Sequence, residues 1–271
     1  NLSTLSISKN RLMHIDANAF EQCKSLTHLW LDHNKLSKLD APIFRDCTKL
    51  SRLFLNSNPI HDLESGLFDS CVTLNKLSFT NSKLIKLEKQ LLENCSDLVE
   101  LSLIDNRLSQ IEPNAFKCLK NLSRLLLSKN QLASLDPNLF QNTVNLKKLA
   151  LNNNKLSEID LRLFVNCFNL TELTLSYNQI AELDLKALEK CSSLEKLDFR
   201  GNPLKKVDNR IFRMLSNLRE LYLDDKIEAN IIEFEILLFS IILLFSNKKI
   251  IISLYNYIVS KSHHSVSYTH L

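Results

Sequence analysis

The sequence predicts an α/β-type repeat solenoid, in which short parallel strands form one curved sheet and irregular or short helical segments return the chain. Three observations predict this fold. Asparagine recurs every 24 residues, leucines surround each asparagine in a constant pattern, and phenylalanine recurs at the same interval in a second column. Glycine occurs only twice in 271 residues, against an average usage of about 7%. Folds that depend on glycine-rich phosphate loops are therefore disfavoured.

The asparagine column sets the period of the repeat. The leucines around it follow the pattern LxxLxLxxNxLxxL, and Ser82 fills the one gap in the column. An asparagine amide can donate to backbone carbonyls of its own coil and of the adjacent coil, which a buried turn would otherwise leave unpaired. A serine does this only in part, so we expect the fourth repeat to be a weak point. The asparagine ladder consists of Asn10, Asn34, Asn58, Asn106, Asn130, Asn154, Asn178 and Asn202.

The LxL core of the pattern forms the strand of each coil, because alternate side chains of a strand share a face. Such a strand is too short to bury its face alone, so the coils are expected to stack strand beside strand. The phenylalanine column then forms a spine on the return side of the coils. It holds Phe20, Phe44, Phe68, Phe116, Phe140, Phe164 and Phe212, with Leu92 and Leu188 in the two gaps.

These columns resemble the 24-residue class of the leucine-rich repeat family, LxxLxLxxNxLxxLxxxxFxxLxx, over residues 1 to about 223. The class is similar to the ectodomains of Toll-type receptors, small leucine-rich proteoglycans and axon-guidance proteins. The resemblance implies a curved horseshoe with the sheet on its concave face, no catalytic activity of its own, and binding of a protein or other ligand on that face. The sequence departs from these ectodomains because it lacks cysteine-rich caps and often has Cys at the last Leu of the pattern.

Six of the seven cysteines share one column of the repeat with leucine and threonine. A column that accepts leucine points inward, so we expect these thiols to be small buried hydrophobes. Parallel side chains rarely reach the torsion of a disulfide, and no CxxC or histidine partner suggests zinc. Cys118 lies one position earlier and is expected to face solvent. The shared column holds Cys23, Cys47, Cys71, Cys95, Cys167 and Cys191.

One residue of each strand, between the two leucines, points away from the core. The only tryptophan, Trp30, and Phe54 take this position on neighbouring strands, about 4.8 Å apart. The pair either stabilises the sheet, by about 0.2–1 kcal/mol, or anchors a partner, since Trp, Tyr and Arg dominate interface energetics. We favour an anchor, because exposing two large aromatic rings to water on a mainly polar face is unfavourable. The candidate partner-binding residues are Trp30, Phe54, Arg52, His28, Asp32, Leu126 and Tyr177.

The sequence predicts no cofactor, no metal site and no catalytic group. His28 and Asp32 are separated by four strand residues, about 13 Å, and His33 lies off their line. No Ser/His/Asp or paired-carboxylate arrangement stands out from the repeats. A net charge of +4 over 34 basic and 30 acidic residues gives no nucleic-acid footprint. The expected partner is a protein ligand, and a membrane is expected only through sequence outside this chain.

Three classes of function fit these features. The first is ligand recognition by a fragment of a cell-surface or secreted protein, through rigid contact on the concave face. The alternative is an intracellular adaptor or scaffold, which is favoured by the lack of cysteine-rich caps and of paired cysteines. An enzyme that uses the repeats as a regulatory arm would need a catalytic domain elsewhere.

The repeat pattern divides the chain into a solenoid, residues 1–225, and a hydrophobic tail, residues 226–271. The solenoid holds nine full repeats and the start of a tenth, without caps. A membrane span would need about 20 apolar residues, whereas residues 236–245 give 10 before charged residues interrupt. A capping helix would show a polar periodicity, which this segment lacks. We favour a translated AT-rich non-coding segment, and the final SVSYTHL resembles sequencing-adaptor read-through, so we expect the tail to be non-native.

Overall fold

The computed structural model describes residues 2–205, 207–208 and 210–224. The tail predicted for residues 226–271 lies outside the described residues, so its origin and the boundary before it stay predictions. Within the described part, no helix is long and apolar enough to cross a membrane.

Among the described residues, ten short parallel strands form one continuous sheet, and a second sheet of two strands lies on the return side of the coils. The main sheet has the order β1-β2-β3-β4-β6-β8-β9-β10-β11-β12, and β5 pairs with β7. The strands in chain order are β1 (Thr4–Ser6), β2 (His28–Trp30), β3 (Arg52–Phe54), β4 (Lys76–Ser78), β5 (Lys86–Leu87), β6 (Glu100–Ser102), β7 (Gln110–Ile111), β8 (Arg124–Leu126), β9 (Lys148–Ala150), β10 (Glu172–Thr174), β11 (Lys196–Asp198) and β12 (Glu220–Tyr222).

The strand register follows the repeat. Leu5 pairs with Leu29, and Leu29 with Leu53, so neighbouring strands are offset by one repeat. The return segments are mainly turns, with short 3-10 helices at Ala41–Phe44 and Leu185–Leu188 and one five-residue helix, α1 (Arg210–Met214). The predicted fold class, a parallel-sheet solenoid with few helices, is confirmed.

The phenylalanine spine is built as two stacks. Phe20, Phe44 and Phe68 stack with ring centroids 6.1 Å apart at each step. A second stack joins Phe116, Phe140 and Phe164 at 6.2 and 6.1 Å. Leu92 stands between the two stacks, and Leu188, which follows Phe164 in the column, is likewise fully buried. The side chain of Phe212 lies outside the described part of the chain.

The asparagine ladder repeats one set of hydrogen bonds from coil to coil. The side-chain oxygen of Asn58 accepts from the Leu36 N–H at 3.1 Å, and its amide donates to the carbonyls of Leu31 and Leu55 at 3.0 Å. The first asparagine of the ladder is exposed and donates only within its own coil. The same three-bond arrangement holds at Asn34, Asn106, Asn130, Asn154, Asn178 and Asn202.

Ser82 interrupts this ladder. Its hydroxyl oxygen is buried and makes no hydrogen bond to the described residues, where the sequence led us to expect a partial replacement for asparagine. The shorter side chain does not reach the carbonyls that an asparagine amide meets, and a buried polar atom without a partner costs about 1–3 kcal/mol.

The cysteine column points into the core, as its leucine members predict. All seven cysteines are free thiols, and Cys23 and Cys118 are partly exposed. Burial raises the pKa of the four thiols of Cys47, Cys95, Cys167 and Cys191 to about 12 and also raises that of Cys71. These five cysteines therefore behave as small hydrophobic side chains.

Candidate functional site

Trp30 and Phe54 form an aromatic stack on the open face of the sheet. Their strands pair so that the two residues stand opposite each other. The ring centroids are 5.8 Å apart and the planes differ by 5°. His28, two residues earlier on the same strand, stacks with Trp30 at 5.6 Å. The Lys76 ammonium lies 5.7 Å from the centroid of Phe54. We call these four residues the aromatic stack; the adjacent Arg52 completes the candidate site.

Two hydrogen-bond donors at this site are unused. Arg52 is exposed on β3, and its guanidinium makes no hydrogen bond or ion pair with the described residues. The indole N–H of Trp30 likewise has no acceptor in this part of the chain. Both groups are donors only, so the site can satisfy them only with an acceptor supplied by another molecule or by water.

The other cations in the row of Arg52 are paired. This row holds the first residue of each strand of the main sheet, and from β4 onward every lysine or arginine in it lies within ion-pair distance of a glutamate of the same row. The ammonium of Lys76 is 2.9 Å from Glu100, and Arg124 approaches the same carboxylate at 3.7 Å. Further along, the lysine–glutamate distances are 2.7 and 3.2 Å, in the pairs Lys148–Glu172 and Lys196–Glu220.

Asp32 has a structural role in addition to its place on the face. Its side-chain oxygen accepts from the Asn56 N–H at 2.8 Å. Asn56 in turn accepts from the Thr80 N–H at 2.7 Å, and the Thr80 hydroxyl lies 2.9 Å from that of Ser102. This polar row, two residues after the aromatic row, ties neighbouring coils together.

Leu126 and Tyr177 lie apart from the aromatic stack. Leu126 is half-buried on β8, between Ser102 and Ala150. Tyr177 lies in the turn after β10 and is 60% exposed. A Cβ at Gly201 would lie 2.5 Å from its ring, and Gly201 has φ +68, so glycine accommodates the tyrosine there. The structure thus brings together His28, Arg52, Trp30 and Phe54 and separates the other two candidates from them.

The last strand, β12, carries a third aromatic residue in the row of Trp30 and Phe54, Tyr222, whose charged neighbours are already paired. Arg200 lies 4.5 Å over the Tyr222 ring and bonds Asp198 at 2.8 Å. The Tyr222 hydroxyl donates to Glu220 at 2.9 Å. That hydrogen bond, together with Lys196, lowers the pKa of Glu220. Charges here are balanced within the chain, in contrast to Arg52.

Two further columns of asparagines, which sequence reasoning missed, cross the flank that precedes the strands. Their side-chain amides donate to the carbonyl 25 residues earlier, one coil back, at 2.8–3.2 Å. The signal was present, because these asparagines also recur at 24-residue intervals. One column holds Asn121, Asn145, Asn169 and Asn217, and the other holds Asn142 and Asn166.

No metal site accompanies these groups in the part of the chain that the structure describes: no three His, Cys, Asp or Glu side chains are placed to hold an ion. His28 has its Nδ1 2.9 Å from the Thr27 hydroxyl, and Asp32 is bonded to the next coil. The residues of the site provide hydrogen bonding, ion pairing and aromatic contact.

Two family models match the sequence. The BspA type leucine rich repeat region matches in 6 copies over residues 109–237, and a leucine rich repeat model matches residues 1–60 and 72–132. The chain is a leucine-rich repeat protein. A search of curated protein sequences returns no significant match.

Solved leucine-rich repeat structures share this fold. TLR13, solved with ssRNA13, aligns at TM-score 0.66 and 24% identity over 82% of this chain and 37% of its own. A leucine-rich repeat protein of Leptospira interrogans aligns at 0.64 and 25% over 84% and 68%. Toll in the Drosophila Toll–Spatzle complex aligns at 0.58 and 21% over 80% and 36%. The leucine-rich repeat chain spans little more than a third of TLR13, and its fold is that of a protein-interaction module.

Proposed function

We propose that this leucine-rich repeat chain recognises a protein partner on its concave face, with Trp30 and Phe54 as anchors, as part of a cell-surface or secreted protein. The aromatic stack is the observation that carries the proposal. Large rings on an otherwise polar face mark interaction sites, and aromatic anchors with arginine contribute most of the energy of typical interfaces.

The scaffold supports tight recognition because its binding groups are held in place before a partner arrives. The asparagine ladder, interrupted at Ser82, and the polar row from Asp32 to Ser102 tie neighbouring coils together. A preorganised surface loses less conformational entropy on binding. Ten strands at about 4.8 Å spacing give a face roughly 43 Å long, enough for the ~800 Å² per partner of a standard interface.

A protein partner is favoured over a nucleic acid. TLR13 is bound to ssRNA13 in its structure, but binding of nucleic acid depends on cations that are free to meet phosphates. On this face the ammonium groups of Lys76, Lys148 and Lys196 already pair with glutamates. The row offers little unpaired positive charge beyond Arg52.

The resemblance to Toll-type ectodomains supports placement at the cell surface or outside the cell. One observation favours the second candidate function, an intracellular adaptor or scaffold. All seven cysteines are free, which is typical of a reducing compartment. The proposed binding face is the same in both cases.

The test compares proteins retained by the immobilised full chain and by two variants. Trp30→Ala removes the anchor. Phe168→Ala is the matched control, because it removes another aromatic ring, 48% exposed in the segment before β10, without touching the concave face. We expect one partner to be retained by the wild type and the control and reduced about tenfold or more by Trp30→Ala. If Trp30→Ala retains every protein that the wild type retains, this binding site is wrong.

A further inference from the structure

The chemistry of the partner can be inferred from the same site, on the basis of the proposed function. We propose that the segment bound at the aromatic stack is acidic: an Asp or Glu side chain meets Arg52, and a neighbouring apolar side chain packs on Trp30 and Phe54. Three features support this: the unused donors, the pairing of the other charges, and the orientation of the rings.

Two unused groups of the site, the Arg52 guanidinium and the Trp30 indole, are donors only. The guanidinium of Arg52 presents a fork of N–H groups that matches the two oxygens of a carboxylate. The indole N–H of Trp30, on the neighbouring strand, needs a single acceptor. A carboxylate, or a carboxylate followed by a backbone carbonyl, satisfies both groups, whereas a lysine or arginine side chain offers neither of them an acceptor.

Charge complementarity along the row points to the same partner. Lys76 and Arg124 share Glu100, and the lysines beyond them have glutamates of their own. In the described part of the row, Arg52 alone among the lysines and arginines lacks an acidic neighbour within ion-pair distance. An acidic residue of the partner at Arg52 supplies the acidic neighbour that every other lysine and arginine in the described part of the row already has.

The rings favour an anion over a stacked base. Phe54 has Trp30 on the β2 side and the Lys76 ammonium on the β4 side, so both of its faces are occupied within the chain. A partner from above meets ring edges, which carry the positive part of the aromatic quadrupole. Binding of single-stranded nucleic acid instead requires open ring faces on which bases stack.

The site also fixes the direction of the partner. Arg52 and His28 lie in the row before the rings, and Asp32 lies two residues after Trp30 on the opposite side. The rows of Arg52 and Asp32 are about 13 Å apart. The acidic residue of the partner is therefore placed on the Arg52 side, away from the negative charge of Asp32, with its apolar neighbour over the rings.

The test uses a library of random tryptophan-free 12-residue peptides displayed on phage and selected on the full chain. Clones that bind the wild type but not Trp30→Ala are kept and sequenced. We expect Asp or Glu beside Leu, Ile or Phe to be enriched over the unselected library. The best peptide is then synthesised and titrated by the emission of Trp30, which is the only tryptophan and reports directly on the site.

Charge variants test the role of Arg52. Arg52→Glu is expected to weaken binding of the peptide about tenfold or more. Arg52→Lys is expected to keep part of the affinity, because lysine provides a single point charge. Arg124→Glu is the matched control: it is an exposed arginine in the same row, three strands away, and is expected to change affinity by about twofold or less.

Three results would overturn the inference. Trp30-dependent peptides without acidic enrichment, or with unchanged affinity for Arg52→Glu, leave the proposed function standing and remove the acidic partner. A 12-nucleotide single-stranded RNA that changes Trp30 emission at lower concentration than the acidic peptide replaces it with a nucleic acid. If no peptide depends on Trp30 and Trp30→Ala also retains every protein that the wild type retains, the proposed function fails as well.

Discussion

Trp30 differs from the core aromatics in what surrounds it. It contacts one ring on each of two sides and is only half-buried, whereas Phe140 is fully buried between two other phenylalanines. A residue kept for binding contributes little to folding, and a residue kept for the core contributes much. The two roles can therefore be separated by stability measurements on single variants.

Trp30→Ala and Phe54→Ala should each lower the free energy of unfolding by about 1 kcal/mol or less, the value of a cross-strand pair. Phe140→Ala, the core control, should lower it by about 3–5 kcal/mol. Urea unfolding followed by circular dichroism measures both. A loss at Trp30 as large as that at Phe140, with partner binding intact, would make the pair structural.

Ser82 is the residue at which we expect a substitution to increase the stability of the fold. By analogy with Asn58, an asparagine there can accept from the Ile60 N–H and donate to the carbonyls of Leu55 and Phe79. With about 0.5–1.5 kcal/mol net per hydrogen bond, Ser82→Asn should raise the free energy of unfolding by about 1–3 kcal/mol. Ser82→Ala is the control, since it removes the unpaired hydroxyl without adding bonds. A lower melting temperature for Ser82→Asn than for Ser82→Ala would contradict this account.

The cysteine column makes a prediction about reactivity. Iodoacetamide at pH 8 should label Cys23 and Cys118 in the folded protein, and all seven cysteines only after unfolding. Mass spectrometry of the labelled peptides distinguishes the sites. Labelling of a core member such as Cys167 at the rate of Cys118 would show that the column opens in the native state.

The same thiols set a dependence of stability on pH. Below the unfolded pKa of 9.0 they are protonated in both states and their contribution is fully present. As pH rises from 9 towards about 12, the unfolded thiols ionise while the folded ones of Cys167 and Cys191 keep their protons, so stability falls. Cys167→Ala should reduce the steepness of this fall in urea titrations between pH 8 and 10. An unchanged slope would contradict it.

At the scale of the element, each coil is defined by what the next coil supplies. The leucine columns and the asparagine period are local in sequence, which is why strands, register and the inward cysteines could be predicted. The two further asparagine columns were missed because asparagine occupies them in only some of the repeats, and their bonds to the preceding coil appear only once neighbouring coils are in contact.

The candidate site could be predicted only in part for the same reason. The alternation of the strand places Trp30 and Phe54 side by side on the open face. The pairing of Lys76 with Glu100, which leaves Arg52 without an acidic neighbour, depends on side-chain conformations that no periodicity encodes. Tyr177 was a candidate for the site, but its turn position and its contact with Gly201 place it outside the aromatic stack.

For the whole molecule, stability is distributed along a one-dimensional stack, since each coil contacts only its neighbours. The fourth coil combines two defects: Ser82 interrupts the asparagine ladder, and Leu92 interrupts the phenylalanine spine. Both defects weaken the same interfaces between coils. These interfaces join the N-terminal coils, which include Trp30, to the second half of the solenoid. We therefore expect the solenoid to open there before it opens in its regular middle coils.

Hydrogen exchange tests this expectation at two matched amides. The Phe79 N–H donates to the Ser102 carbonyl at 2.9 Å, and the Leu151 N–H makes the equivalent bond to Thr174 at 2.8 Å. Because the bonds are alike, a difference in exchange reports on opening of the coil. Phe79 should exchange about 10- to 100-fold faster than Leu151, corresponding to about 1.4–2.7 kcal/mol. Ser82→Asn should slow Phe79 and leave Leu151 unchanged. Equal rates at the two amides would mean that the Trp30 half and the rest of the solenoid open as a single unit.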